Sequence, residues 1–197
     1  MDNEQLPIRK RLRLWEHDYS QRGYYFLTLC TYNRQQLFVN STVNDEMQIV
    51  PSDYPQNQLI EKWLSKLEER FQVIVDQYVI MSDHLHLILA IDHQAPPEGT
   101  SETNSENDCR ERPMCRFESN YQNSDSISKI MQWFKTMTTN EYIQNVKSGS
   151  FPPFEKQMWQ KSYYDHIIRN YDDYANICFY IVNNPMKAQQ KSDSVNH

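Results

Sequence analysis

Two hydrophobic rhythms run along this chain, and the switches between them outline a fold. Tyr24 to Tyr32 (YYFLTLCTY) is dense in aromatic and β-favouring residues, which predicts a strand. From Asn57 to Phe71 the spacing changes: Leu59, Ile60, Trp63, Leu64 and Leu67 recur at helical intervals, so this stretch predicts an amphipathic helix. Gln72 to Met81 and His84 to Ile91 return to strand character, and the polar break at Ser82-Asp83 predicts an antiparallel hairpin. Ser126 to Lys147 carries Ile127, Ile130, Met131 and Phe134 on one stripe and predicts a second helix. Gln160 to Ile168 predicts a fourth strand. A last helix follows, with Asn170 as its N-cap, Asp172 and Asp173 in its first turn, and Pro185 just beyond its end. The order strand–helix–strand–strand–helix–strand is a ferredoxin-like split βαβ pattern. The expected class is therefore α+β, an antiparallel sheet with an added C-terminal helix.

Between the hairpin and the second helix the rhythm stops. Residues 93–125 are rich in Ser, Asn, Glu and Pro without apolar periodicity, which predicts a polar insertion in what is otherwise one domain of 197 residues. Much of the acidity behind the net charge of −6 lies there, whereas the N-terminal part is basic. Phosphate neutralisation needs cations, so the net charge counts against a protein that simply coats nucleic acid. Arg9, Lys10, Arg11, Arg13, Arg22 and Arg34 are the candidate backbone contacts, although such a cluster is as readily a solvated face. The four cysteines are scattered, with no CxxC pair and no secreted disulfide pattern. No apolar run could span a bilayer and the N-terminus lacks an apolar signal core, so a cytoplasmic protein without a membrane partner is expected.

Candidate chemistry interrupts the second hairpin strand. Side chains alternate along a strand, so His84, His86, Ile88 and Ala90 share one face and Leu85, Leu87, Leu89 and Ile91 the other. The aliphatic face should pack on helices, leaving the two imidazoles side by side on the free face of the sheet. Neutral imidazole is a common ligand for divalent cations, but a bare pair of histidines at a strand end is more often just surface polar residues. The last helix offers further groups. Tyr174, Ile177, Cys178 and Ile181 form its apolar stripe, with Tyr180 and Asn184 one turn apart on its border. A phenol beside a phosphate can act as a nucleophile and an amide oxygen can complete a metal site. Spacing alone favours Tyr180 as a border packing residue over a nucleophile, and Tyr163 and Tyr164 compete with it among thirteen tyrosines.

Longer stretches carry a resemblance. DHLHLI (Asp83 to Ile88) resembles the histidine–hydrophobic–histidine motif of the HUH single-tyrosine transposases. WQKSYYDHIIRNYDDYANICFYIVNNPMKA is similar to the C-terminal segment of their REP-associated tyrosine transposase branch, and RLRLWEHDYSQRGYYFLTLCTYNRQQLF to its N-terminal segment. Most of Arg11 to Ala188 is covered, the acidic insertion excepted, and the parts keep the family's order and spacing. The resemblance implies cleavage of single-stranded DNA, often beside an imperfect hairpin, with the enzyme joined to a 5′-phosphate through tyrosine and a 3′-hydroxyl released. It implies Tyr180 as nucleophile, and His84, His86 and Asn184 as ligands of a divalent metal, Mg²⁺ or Mn²⁺. The implied partner is single-stranded or hairpin DNA, acted on by a monomer or homodimer. Asp165-His166 also recurs in the family pattern, with no role implied. Two other outcomes fit the same residues: a domesticated protein that grips hairpin DNA without cutting it, and a metal phosphodiesterase that uses water while Tyr180 is structural.

Overall fold

The computed structural model describes residues 23–91 and 126–195, with the side chains of 189–195 left aside. The basic residues Arg9, Lys10, Arg11, Arg13 and Arg22, and the insertion at 93–125, lie outside the described residues. Six strands and three long helices follow in the order β1 (Gly23–Cys30), β2 (Thr42–Val43), β3 (Ile49–Val50), α1 (Pro55–Phe71), β4 (Ile74–Met81), β5 (His84–Ile91), α2 (Ile127–Lys147), β6 (Tyr164–Ile168) and α3 (Tyr171–Val195). The main sheet runs β4-β5-β1-β6 with every pairing antiparallel. That order is the one a split βαβ arrangement produces, so the α+β expectation holds.

Local chemistry sets the boundaries. Pro55 opens α1, where a missing N–H costs nothing. Gln72 closes it in the left-handed conformation (φ 50°), donating its N–H to the Glu68 carbonyl, so β4 starts two residues later than the sequence pattern suggests. At the other end of the chain, Gln160 to Tyr163 do not join β6. Instead Gln160 N–H bonds Cys30 O at 2.9 Å and Trp159 bridges to Thr31, so this stretch extends the rim of the sheet. The small β2–β3 ribbon has no hydrophobic alternation long enough to be read from sequence.

Helices cover both faces of the sheet. Leu85, Leu87, Leu89 and Ile91 of β5 join Tyr25, Leu27 and Leu29 of β1 against α1 and α2, where Leu64, Leu67, Ile130 and Phe134 are buried. On the opposite face Val79, Met81 and Ile88 meet Tyr174, Ile177, Cys178 and Ile181 of α3. The alternation in β5 thus falls as the sequence implies, but the histidine face is not free. The apolar stripe of α3 needs a surface to bury against, and each Ile so buried stabilises by about 1.5–3 kcal/mol. The other face is already filled by α1 and α2.

Pro185 corrects a second expectation. It lies inside α3, not beyond it. An interior proline forfeits one i→i−4 hydrogen bond and normally ends or kinks a helix. Here Pro185 is itself buried and Ala188, further on, packs against the α3 cluster. Apolar surface therefore continues past the proline, and its burial offsets the lost bond.

Candidate active site

His86 lies in the middle of the sheet face beneath α3. Across the strands it shares a row with Val79, Thr28 and Tyr164. Its Nδ1 is 2.7 Å from the Thr28 hydroxyl, and its ring stacks on Phe26 with centroids 5.3 Å apart. The residue is only 5% exposed, which overturns the picture of two imidazoles facing away from any core. Removing this ring costs packing as well as a polar group. Burial, reinforced by His84 and Arg34 nearby, holds the His86 pKa down at about 3, so the imidazole is neutral throughout the physiological range. A neutral ring keeps a lone pair for a metal.

His84 sits one row along, nearer the strand end, with its ring centroid 4.6 Å from that of His86. Its Nδ1–H donates to Asp83 Oδ1 at 2.5 Å, and the other oxygen of Asp83 accepts from Arg34 Nη1 at 3.2 Å. Arg34 is thus placed at the edge of the histidine pair. Both ring contacts engage Nδ1, so the two Nε2 atoms are the natural donors to a cation.

Tyr180 reaches this pair from α3. Its hydroxyl stands 3.3 Å from His86 Nε2, its ring meets Phe26 edge-on, and Lys187 Nζ lies 5.9 Å from its centroid. At 41% exposure it is open to solvent on one side, as a residue on the border of a buried stripe should be. Asn184 follows one turn later, half-buried, and hydrogen-bonds to neither histidine. The competing tyrosines separate cleanly. Tyr163 is buried with the α1–α2 core, near Ser128. Tyr164 shares the His86 face, but on the edge strand and exposed. Among the described residues, no three His, Cys, Asp or Glu side chains cluster to hold a metal, so a cation here needs an oxygen from outside those types.

Two contacts hold α3 in register over the histidines. Tyr174 donates its hydroxyl to Asp76 Oδ2 at 2.7 Å, and the register of β4 against β5 shifts between Val75 and Gln77, the point where Asp76 sits. A bulge of this kind re-aims a side chain, here toward the helix. Burial and the Asp76 carboxylate both push the Tyr174 phenol up, so it stays protonated as donor. At the start of the helix, His166 Nε2 and Asp173 Oδ2 are 2.8 Å apart, and the Asn170 side chain caps Asp173 N–H at 2.8 Å. His166, without a role in the sequence, thus joins β6 to α3. Sequence reasoning missed Asp76 and Asp83: an acid in a strand and an acid in a turn look like ordinary punctuation until their partners are known.

No family model matches the chain. A protein of Haemophilus influenzae that carries no functional description is 31% identical over 203 residues, covering 95% of this chain and 94% of its own length. Among solved structures, the chain is similar to a REP-associated tyrosine transposase bound to a REP hairpin, with a TM-score of 0.53, 18% identity, and 89% of this chain and 74% of that one covered. A provisionally named transposase of Deinococcus radiodurans superimposes more loosely, with a TM-score of 0.46, 15% identity, and 87% and 97% of the two chains covered.

Proposed function

The chain belongs to the family of that Haemophilus influenzae protein and has the fold of a REP-associated tyrosine transposase, and from this premise we propose that it cleaves and rejoins single-stranded DNA through Tyr180. The observation that carries the reading is the Tyr180 hydroxyl 3.3 Å from His86 Nε2, beside His84. A nucleophile and two metal-type donors meet there from elements 94 residues apart in sequence.

His84 and His86 suit a divalent cation, Mg²⁺ or Mn²⁺, because both rings bond through Nδ1 and His86 is held neutral. Asn184 is the proposed third donor. When bound, the cation withdraws charge from a phosphate oxygen and so eases attack at phosphorus. Everything else is supplied by the chain. The Tyr180 oxygen attacks phosphorus, its proton passing to water. The 3′-oxygen of the preceding nucleotide leaves, takes up a proton and becomes a free 3′-hydroxyl, while the 5′-phosphate stays on Tyr180. Rejoining is the reverse attack by a 3′-hydroxyl, and the phosphotyrosine conserves the bond energy, so no nucleotide cofactor is consumed. Hairpin DNA is the proposed substrate class, as the similar transposase is one bound to a REP hairpin.

Incubation with an end-labelled hairpin oligonucleotide carrying a single-stranded flank, with Mn²⁺, followed by a denaturing gel, tests this. A covalent adduct is expected. A mobility shift without cleavage marks a binding protein, and cleavage without adduct marks a phosphodiesterase that uses water. Either result overturns the reading.

A further inference from the structure

One charged cluster beside the histidines is not used by the strand-cleavage chemistry. Immediately after β1 the chain makes a tight 3₁₀ turn at Tyr32–Arg34, and both Asn33 (φ 52°) and Arg34 (φ 56°) are left-handed. Two consecutive non-glycine residues in that conformation are strained, and such strain persists only where surroundings over-determine it. They do so here. Thr31, fully buried, sends its N–H to Asp83 O at 2.9 Å, and its hydroxyl lies 3.0 Å from the same carbonyl and 2.8 Å from Gln35 O. Gln35 bonds Tyr32 O and exchanges bonds with the Glu155 backbone. The turn is thereby locked to the Ser82-Asp83 break between β4 and β5. Its product is Arg34 laid against the Asp83 carboxylate, whose other oxygen accepts a hydrogen bond from His84 Nδ1.

We infer that Asp83, held by Arg34, is a positioning residue for His84: it fixes the tautomer with hydrogen on Nδ1 and so commits Nε2 as a donor to a divalent cation. The inference rests on the metal reading above and assigns the outer support of one ligand. The two histidines then differ. His86 leans on a neutral hydroxyl, Thr28, while His84 leans on a carboxylate, the kind of outer partner that fixes a ligand ring's orientation. Arg34 is in this account an orienting residue rather than a contact to the DNA backbone.

The test uses the full chain, with Asp83→Ala, Asp83→Asn and Arg34→Met. Long-range ¹H–¹⁵N spectra of the metal-free protein at mildly alkaline pH report the His84 tautomer. Mn²⁺ alone, titrated by electron paramagnetic resonance, reports affinity, and melting in EDTA separates folding from binding. The parent should show hydrogen on His84 Nδ1. Asp83→Ala should lose that preference and bind Mn²⁺ about 10–100-fold more weakly at similar melting temperature. Asp83→Asn, which keeps an acceptor, and Arg34→Met should fall between. A parent with hydrogen on His84 Nε2, or equal Mn²⁺ affinity in parent and Asp83→Ala, overturns the inference and leaves the strand-cleavage reading standing. A parent that binds no Mn²⁺ overturns both.

Discussion

At the scale of single residues, the hydroxyl of Tyr180 does one thing that no other tyrosine in the described fold does: it meets His86. Tyr180→Phe removes it while keeping the ring that packs edge-on against Phe26. Stability should therefore change by less than about 1.5 kcal/mol. Covalent adduct should vanish on the denaturing gel while hairpin binding, followed by fluorescence anisotropy, persists. Adduct retained by this variant would move the nucleophile elsewhere. The pair formed by Tyr180 and His86 was legible only as far as its separate halves. Strand alternation put both histidines on one face, and helical spacing put Tyr180 on the border of a buried stripe. Neither pattern says that the border and the face coincide, because that depends on which side of the sheet α3 takes. The resemblance to single-tyrosine transposases supplied that link; the fold brings the Tyr180 hydroxyl to 3.3 Å from His86 Nε2.

Among elements, α3 shows where local reasoning holds and where it ends. Its N-terminus was readable because the Asn170 cap and the acids of the first turn act within a few residues. Its continuation through Pro185 was not, since the buried surface that offsets the proline is contributed by distant strands. The bulge at Asp76 was hidden for the same reason: its partner, Tyr174, lies 98 residues away. That contact yields a contrast with Tyr180. Tyr174→Phe removes a hydrogen bond to a carboxylate and should cost about 1.5–3 kcal/mol in urea unfolding. The adduct should still form at concentrations of urea well below the transition. Stability equal to the parent would show that the Tyr174–Asp76 contact does not help hold α3.

For the molecule as a whole, the larger cluster between the sheet and α1–α2 contains one costly atom. Tyr142 is fully buried among Phe151 and Phe154, and its hydroxyl has no hydrogen-bond partner among the described residues. Tyr142→Phe removes a desolvated donor and should raise stability by about 1 kcal/mol. Burial also pushes its pKa up to about 12 from the ordinary 10. The folded chain then keeps a proton that the unfolded chain releases above pH 10. Stability should be level in this respect below pH 10 and fall as pH rises toward 12, and the Phe variant should lose that part of the alkaline decline in thermal melts. A variant that melts lower than the parent at neutral pH would mean the hydroxyl is satisfied after all. The two-sided sheet has a different consequence. The α3 side is sealed by the smaller of the two clusters. Lifting that helix exposes far less apolar surface than melting the fold, so it is a sub-global opening with its own, lower free energy. The lifetime of the contact between Tyr180 and His86 is governed by that local opening, and the integrity of the remaining sheet and helices can outlast it.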